Sequence, residues 1–308
     1  MFKNVMVYRI GPDWSATVEQ MEEALAQMPF QPCGPTQAES MGWLPPRGEA
    51  HGLLVEAIGG HRILRFVMER KAVPGQVVQR HLDERAARIE AQEGRKPGRK
   101  ESRALREEIV LDLLPMAFAK TATVMVWFDL AAGRVVLDCA SQARADAVIT
   151  GLVKCLPGLP LSALNTQLSP QAAMTAWLSG GDDDWPAHFA PGQEVELKSG
   201  DEMNSVVKFT RHPLVDEEMQ RHIGQGKLPT KLALDWDGRA TFVLTEATQL
   251  KKVAFADGVF EDHGQAEDGG GFDADVAIAT GELGALLTDL TEALGGELAC
   301  PPIRSTPC

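Results

Sequence analysis

The sequence predicts an α+β fold in which antiparallel sheets are combined with a helical hairpin. Three observations lead to this class. Short segments of alternating polar and apolar residues, typical of half-buried strands, recur along the chain. Helical patterns stand between them, without the regular strand–helix–strand order that builds a parallel sheet. One long stretch in the first half shows the helical period alone.

The N-terminal part predicts one strand, one helix and a long turn-rich segment. Residues 5–10 alternate like a strand, and residues 17–28 place their apolar side chains at helical spacing behind a capping-box pattern. Residues 30–60 are rich in Pro and Gly, so we expect them to be mostly turns. A second strand is expected near residues 63–68.

Residues 76–118 predict the helical hairpin. Two apolar stripes with four-residue spacing are separated by the basic segment 95–100. Pro97 and Gly98 must interrupt the helix there, because Pro lacks the backbone N–H and Gly is a poor helix former. Pro115 ends the second helix. The result is a hairpin with a basic tip.

The remaining elements alternate between strands and short helices. In order, they are a strand hairpin at 124–139, a helix at 141–156 capped by Ser141, a helix at 172–178, strands at 195–197 and 206–210, a helix at 217–223, a hairpin at 231–245 and a helix at 281–294. Asp237 and Gly238 are a strong signal for a tight turn in the last hairpin.

The length of 308 residues exceeds that of a usual single domain. We expect an elongated subunit with a first α+β region at 1–165, a second at 166–297 and a flexible tail at 298–308. No apolar run approaches the ~20 residues that cross a bilayer, and the start has no signal-peptide pattern. A cytoplasmic location is therefore expected.

Charge is distributed unevenly along the chain. The net charge is −13, yet residues 61–120 contain 14 basic and 9 acidic residues. Residues 256–297 contain 11 acidic residues and no Lys or Arg. Binding to phosphate depends on local positive potential and not on the total charge. The acidic total therefore does not exclude a nucleic-acid partner.

The sequence contains no motif of a known catalytic class, since Walker A, GxGxxG, HExxH and GxSxG patterns are absent. Its histidines and five cysteines lack metal-ligand spacing, and we expect the cysteines to be reduced thiols. We therefore predict no catalytic residue, no metal and no cofactor. The open alternative is a metal-dependent nuclease that uses Asp182, Asp183, Asp184, Asp273 or Asp275.

Two basic segments are candidate contacts for duplex DNA, the hairpin tip and the segment that precedes Pro213. The predicted DNA-binding residues are Arg95, Lys96, Arg99, Lys100, Arg103, Lys208, Arg211 and His212. Arg and Lys bind phosphate oxygens without reading sequence, and amide groups at a helix start can assist. Aromatic residues are only 6% of the chain, which favours a duplex over single-strand stacking. A solvated charged surface is the alternative for the tip.

Nine short segments match the pattern of one known family in the same order. They are FKN at 2–4 with YR at 8–9, FQPCG at 30–34, MGWLPP at 41–46, LLPMAF at 113–118, LDCAS at 137–141, TKLALDW at 230–236, FDAD at 272–275, TGEL at 280–283 and EALGGE at 292–297. On these segments the chain resembles the recombination-associated RdgC family. The resemblance covers residues 2–297, and no single motif carries it.

The resemblance implies a ring-shaped homodimer that encloses duplex DNA without sequence preference. It also implies association with the nucleoid and restraint of RecA-type recombination without enzymatic turnover. Phe118 is then expected at the inter-subunit contact that closes the ring, where the residue pattern alone leaves a core phenylalanine open. The family's basic–polar pair falls on Arg211 and His212. A scaffold that binds the recombinase and never touches DNA is a third hypothesis.

Overall fold

The computed structural model describes residues 1–49, 51–180, 184–200, 205–211, 217–261 and 271–298. These residues form an α+β fold with eight α-helices and antiparallel strand pairing, as the sequence predicts. Contacts divide the chain into two compact units, and each unit combines separate stretches of sequence. Unit 1 comprises residues 1–18, 55–63 and 125–308, and unit 2 comprises residues 19–54 and 64–124. The boundary expected near residue 165 stays a prediction.

The described elements are the following, in chain order. The strands are β1 (Val5–Ile10), β2 (Glu39–Leu44), β3 (Glu56–Ile58), β4 (His61–Lys71), β5 (Ala119–Asp129), β6 (Arg134–Asp138), β7 (Leu161–Ala163), β8 (Phe189–Ser199), β9 (Val206–Thr210), β10 (Lys227–Trp236), β11 (Ala240–Thr245) and β12 (Leu250–Phe255). The helices are α1 (Val18–Leu25), α2 (Gly75–Glu93), α3 (Arg99–Leu113), α4 (Gln142–Cys155), α5 (Pro170–Ser179), α6 (Glu217–Gly224), α7 (Asp257–Glu261) and α8 (Gly271–Ala293).

Unit 2 contains the predicted helical hairpin and the strand order β2-β4-β5. Trp43 of β2 pairs with Phe66 of β4, and their rings pack edge to face with centroids 4.7 Å apart. The hairpin helices α2 and α3 are separated by residues 94–98, which confirms the break at Pro97 and Gly98. The expectation that residues 30–60 are mostly turns is confirmed, but two strands that it did not include, β2 and β3, also lie there.

Unit 1 contains a larger sheet, and apolar residues of α5 and α8 pack against one of its faces. Its strands follow the order β6-β1-β12-β11-β10-β8-β9, and β7 also pairs with β1. Alternate residues of β10, namely Leu232, Leu234 and Trp236, are buried in a core that includes apolar residues of α5 and α8. The Trp236 indole N–H donates to Asp289 of α8 over 2.8 Å. The other residues of β10 therefore lie on the opposite face of the sheet.

Three local predictions in unit 1 have different outcomes. Asp237 and Gly238 have φ angles of 49° and 66°, which fits the predicted tight turn between β10 and β11. The last helix was predicted to start at residue 281 but starts at Gly271. Ser141 stands at the N-cap position of α4, although its side chain makes no capping hydrogen bond.

Candidate nucleic-acid interface

The tip of the helical hairpin is exposed, and one of its basic side chains is held by acids. Gly94 ends α2 in the left-handed region, with φ 70°, and reverses the chain. Arg95 forms ion pairs with Glu101 at 2.8 Å and with Glu93 at 2.7 Å. The hydrogen bond to Glu101 raises the pKa of Arg95, and it lowers the pKa of Glu101 in return. Arg95 therefore braces the tip, and a phosphate must compete with two carboxylates for it.

The other basic residues of the tip are more available. Lys96, Arg99 and Lys100 are exposed and make no ion pair with any residue in the described ranges. Arg103 pairs with Glu107 one helical turn away, at 3.1 Å. Such exposed pairs on a helix contribute only ~0.3–0.5 kcal/mol, so a phosphate can compete for Arg103. The predicted tip residues are thus adjacent in space but differ in availability.

Lys208 lies on a sheet face of unit 1 that the sequence analysis did not identify. Lys208 of β9 pairs with Glu196 of β8, which in turn pairs with Lys231 of β10. Residues directly opposite each other on neighbouring strands have side chains on the same face. The neighbouring residues Val195 and Leu232 are buried on the other face. A row of charged side chains therefore runs across three strands.

Two further lysines reach the same face from β12. Val243 of β11 pairs with Lys251, next to a shift in strand register. Lys252 has a φ of 55°, in the left-handed region that a bulged strand can contain. Because a bulge interrupts the alternation of side chains, consecutive residues can lie on one face, and Lys251 and Lys252 both line the same concavity. This concavity has a volume of about 300 Å³.

We call this surface the lysine face. It consists of Glu194, Glu196, Lys208, Lys231, Lys251 and Lys252. Its charges sum to +2 at neutral pH, because four ammonium groups accompany two carboxylates. The surface is concave and solvent-accessible, whereas the opposite side of the same strands is packed into the core.

Ion pairs connect the strands of the lysine face. Glu196 lies 2.9 Å from the ammonium of Lys208 and 3.0 Å from that of Lys231. The hydrogen bond from Lys208, assisted by Lys231 and the Thr230 hydroxyl, lowers the pKa of Glu196 to about 2. Lys252 lies 2.7 Å from Glu194. Within the part of the chain that the structure describes, Lys251 makes no ion pair.

Arg211 follows β9 at the end of the lysine face. Its side chain is exposed, and its backbone N–H donates to the Gln193 carbonyl over 2.7 Å. Its φ of 57° is uncommon for a residue with a β-carbon. His212 and the predicted Pro213 helix start lie outside the described residues. The structure thus places Lys208 on β9 and Arg211 directly after this strand, whereas it does not test His212.

Phe118 stands out among the apolar residues of unit 2. Its side chain is 90% exposed, and it follows the 3₁₀ turn Leu114–Met116 directly before β5. Met116 is 71% exposed and Leu111 is 55% exposed. Phe118 is therefore not a core residue of the single chain, which was the alternative that the residue pattern left open.

The acidic residues of the nuclease hypothesis are only partly covered by the structure. Asp182 and Asp183 lie outside the described residues, whereas Asp273 and Asp275 stand near the start of α8. Nowhere in the described ranges do three or more His, Cys, Asp or Glu side chains form a group that could hold a metal ion. The described cysteines Cys33, Cys139 and Cys155 are free thiols. None of the described helices has the length and apolarity needed to cross a membrane.

The fold and the site define an α+β protein with a concave cationic sheet face and a separate basic helical hairpin. Comparison with known proteins identifies the family. Residues 1–297 match the family model described as "Putative exonuclease, RdgC". The chain belongs to the RdgC family, whose curated relatives are named for their association with recombination.

Curated relatives match over nearly the whole chain. Recombination-associated protein RdgC of Dechloromonas aromatica is 42% identical over 302 residues, which cover 96% of this chain and 98% of the relative. The proteins of the same name from Cupriavidus necator and Bordetella pertussis are 43% and 38% identical over 298 residues, with the same coverage of 96% and 98%. The resemblance inferred from the nine sequence segments is thereby confirmed.

Sequence reasoning missed Lys231, Lys251 and Lys252. Lys231 stands in the TKLALDW segment, where polar and apolar residues alternate, and this alternation was a usable signal for the solvent-facing side of β10. The register that brings these lysines beside Lys208 is fixed by strand pairing between distant parts of the chain. No local pattern contains that information.

Proposed function

We propose that this chain binds duplex DNA without sequence preference, as a homodimer that encloses the duplex, and that it restrains RecA-type recombination without enzymatic turnover. The observation that carries the proposal is the lysine face, a concave surface with a net charge of +2 on a protein with a net charge of −13. A local cationic concavity on an acidic protein attracts a polyanion to one place.

The layout of the lysine face suits a phosphate backbone. From Lys208 on β9 to Lys251 on β12 the row crosses four strand spacings, which amounts to ~19 Å at ~4.8 Å each. The phosphates of each DNA strand are spaced ~3.4 Å apart along the duplex axis, so several can face this row. Ammonium groups contact phosphate as point charges and carry no base specificity. Binding is therefore expected to be independent of sequence.

The hairpin tip is the second proposed contact with DNA. Lys96, Arg99 and Lys100 are the residues that carry it, with Arg103 after release from Glu107. Arg95 contributes mainly by holding the shape of the tip. The family's basic–polar pair falls on Arg211 and His212. We propose that both residues add contacts with DNA to those of the lysine face.

Phe118 is the proposed contact between subunits. Phe118 is 90% exposed and follows the exposed Met116 by two residues in the chain. Its apolar surface is in water on a lone chain, and a second copy that covers Phe118 removes this cost. The RdgC resemblance assigns that contact to closure of a ring. A closed dimer holds DNA by topology, which allows each individual contact to remain weak.

Retention on closed DNA tests the proposal. Purified protein is mixed with linear or covalently closed circular duplex and challenged with rising salt. An enclosing dimer stays on the circle at salt concentrations at which it leaves linear DNA through the ends. Equal loss from both forms contradicts enclosure, and no binding to either form at low salt supports a scaffold that only contacts the recombinase.

The same samples test the nuclease hypothesis, which the family model's description keeps relevant. They are incubated with and without Mg²⁺, and the DNA is deproteinised before electrophoresis. Our proposal predicts intact DNA in both conditions. Magnesium-dependent loss of linear DNA contradicts the non-catalytic assignment.

A further inference from the structure

The carboxylates of the lysine face are ion-paired with the ammonium groups that are proposed to bind DNA phosphate. Glu196 lies between two ammonium groups from neighbouring strands, at 2.9 Å from Lys208 and 3.0 Å from Lys231. Glu194 holds Lys252 at 2.7 Å. Three of the four lysines therefore already have an anionic partner before any ligand arrives.

The Glu194–Lys252 ion pair is not needed to neutralise a buried charge, because the two side chains are 44% and 67% exposed. The Glu196 side chain is 19% exposed, so Lys208 and Lys231 also neutralise a largely buried carboxylate, although Lys208 itself is 64% exposed. The core lies on the other face of the sheet, where it is built from apolar side chains such as Val195 and Leu232. An exposed ion pair such as Glu194–Lys252 adds little to stability. Its main consequence is for the ligand that binds Lys252.

We propose that Glu194 and Glu196 act as built-in competitors of DNA phosphate, which limit the affinity of the lysine face and keep its contacts with the duplex exchangeable. This inference rests on the proposed duplex binding and adds the groups that regulate it. A phosphate that binds Lys208, Lys231 or Lys252 must displace or share a carboxylate. Only Lys251 engages DNA without this competition. A protein retained by enclosure can then move along the duplex instead of being fixed by its charges.

The test replaces both carboxylates by amides of nearly the same shape. Glu194→Gln and Glu196→Gln, singly and together, are titrated with a short duplex over a salt series. Each substitution is expected to tighten binding about two- to five-fold, and both together roughly ten-fold. The salt dependence should steepen by ~0.9 in logarithmic slope for each lysine released. Dissociation into excess competitor duplex should slow by a similar factor.

Glu292→Gln provides the matched control. It removes the same charge from an exposed position on α8, which packs against the opposite face of the sheet. This variant should leave the affinity and the salt slope unchanged. If all three substitutions increase the duplex affinity equally, the cause is the net charge of the protein, and the inference is overturned.

The outcomes separate the inference from the proposed function. If Lys231→Ala weakens duplex binding while the glutamine variants bind as the native chain does, the lysine face binds DNA but the competition is refuted. Weaker binding of the glutamine variants shows that the carboxylates only position the lysines, and also refutes it. A native chain that does not bind duplex refutes the proposed function itself. Should Glu196→Gln not fold, Glu194→Gln, whose partner is Lys252, decides alone.

Discussion

Replacing Phe118 by alanine should weaken the dimer without weakening the fold of the subunit. Complete burial of a phenylalanine side chain is worth ~1.5–3 kcal/mol. Phe118 is 90% exposed on the single chain, so nearly all of this free energy is available to a subunit contact. We expect a loss of about 2 kcal/mol for each buried Phe118, hence about 4 kcal/mol for the two copies in a homodimer, which raises the dimer dissociation constant roughly 1000-fold.

Sedimentation equilibrium over a dilution series measures that constant, and urea unfolding measures the stability of the subunit. The unfolding free energy should change by less than ~0.5 kcal/mol, as for other exposed positions. Phe66→Ala is the control, because Phe66 is completely buried in the same unit, and its loss should cost ~3–5 kcal/mol of stability. Unchanged dimer dissociation in Phe118→Ala would refute the proposed ring contact. A large decrease in the free energy of unfolding of the Phe118→Ala subunit would refute the exposed position of Phe118.

Three further predictions follow from the local geometry. Lys100→Ala should weaken duplex binding more than Arg95→Ala in a fluorescence titration, because Arg95 is already paired with two acids. Gly42→Ala should lower the free energy of unfolding in urea by ~1–3 kcal/mol, because the new methyl group would lie 2.5 Å from the backbone nitrogen of Phe30. Gly281→Ala is the control, since the space around Gly281 is open, and it should not destabilise the protein. The pKa of the Glu196 carboxylate is lowered to about 2, so this group contributes stability above its ordinary pKa of 4.5. The difference in the free energy of unfolding between the native chain and Glu196→Gln should therefore shrink as the pH falls from 4.5 towards 2.

The sequence predicted best the elements that depend on local chemistry. The helical hairpin follows from two four-residue apolar stripes and the Pro97–Gly98 break, and the structure places α2 and α3 on either side of that break. The tight turn at Asp237 and Gly238 follows from the ease with which these residues adopt positive φ. In both cases a few neighbouring residues are sufficient to fix the backbone.

The misses concern elements stabilised by distant partners. β2 stands in a Pro- and Gly-rich segment, and it becomes a strand because its residues pair with β4. Gly42 within it permits the close approach of another chain segment, which local propensity cannot reveal. α8 begins with Gly271, and Asp273, Ala274 and Asp275 follow close to its start. The leucine pattern on which the helix prediction relied begins only at Leu283, so the prediction missed the first ten residues of α8.

Two acidic residues of the segment 256–297 also have a structural role, which a count of charges could not show. Glu282 of α8 pairs with Arg239, and Asp289 accepts a hydrogen bond from Trp236. These acids fasten α8 to the sheet. The uneven distribution of charge along the sequence was thus a correct observation, but the location of the cationic surface had to come from the strand register of β8 to β12.

The salt dependence of duplex affinity measures how many phosphate contacts the lysine face makes. The native chain is compared with a variant in which the four lysines of the lysine face, Lys208, Lys231, Lys251 and Lys252, are alanine, on two duplexes of unrelated sequence. If the lysine face binds DNA, we expect the variant to bind both duplexes more weakly than the native chain does. Its logarithmic salt slope should be smaller by ~0.9 if one lysine contacts phosphate and by ~3.6 if all four do, equally on both duplexes. A folded variant that binds with the native affinity and slope would contradict DNA binding by the lysine face.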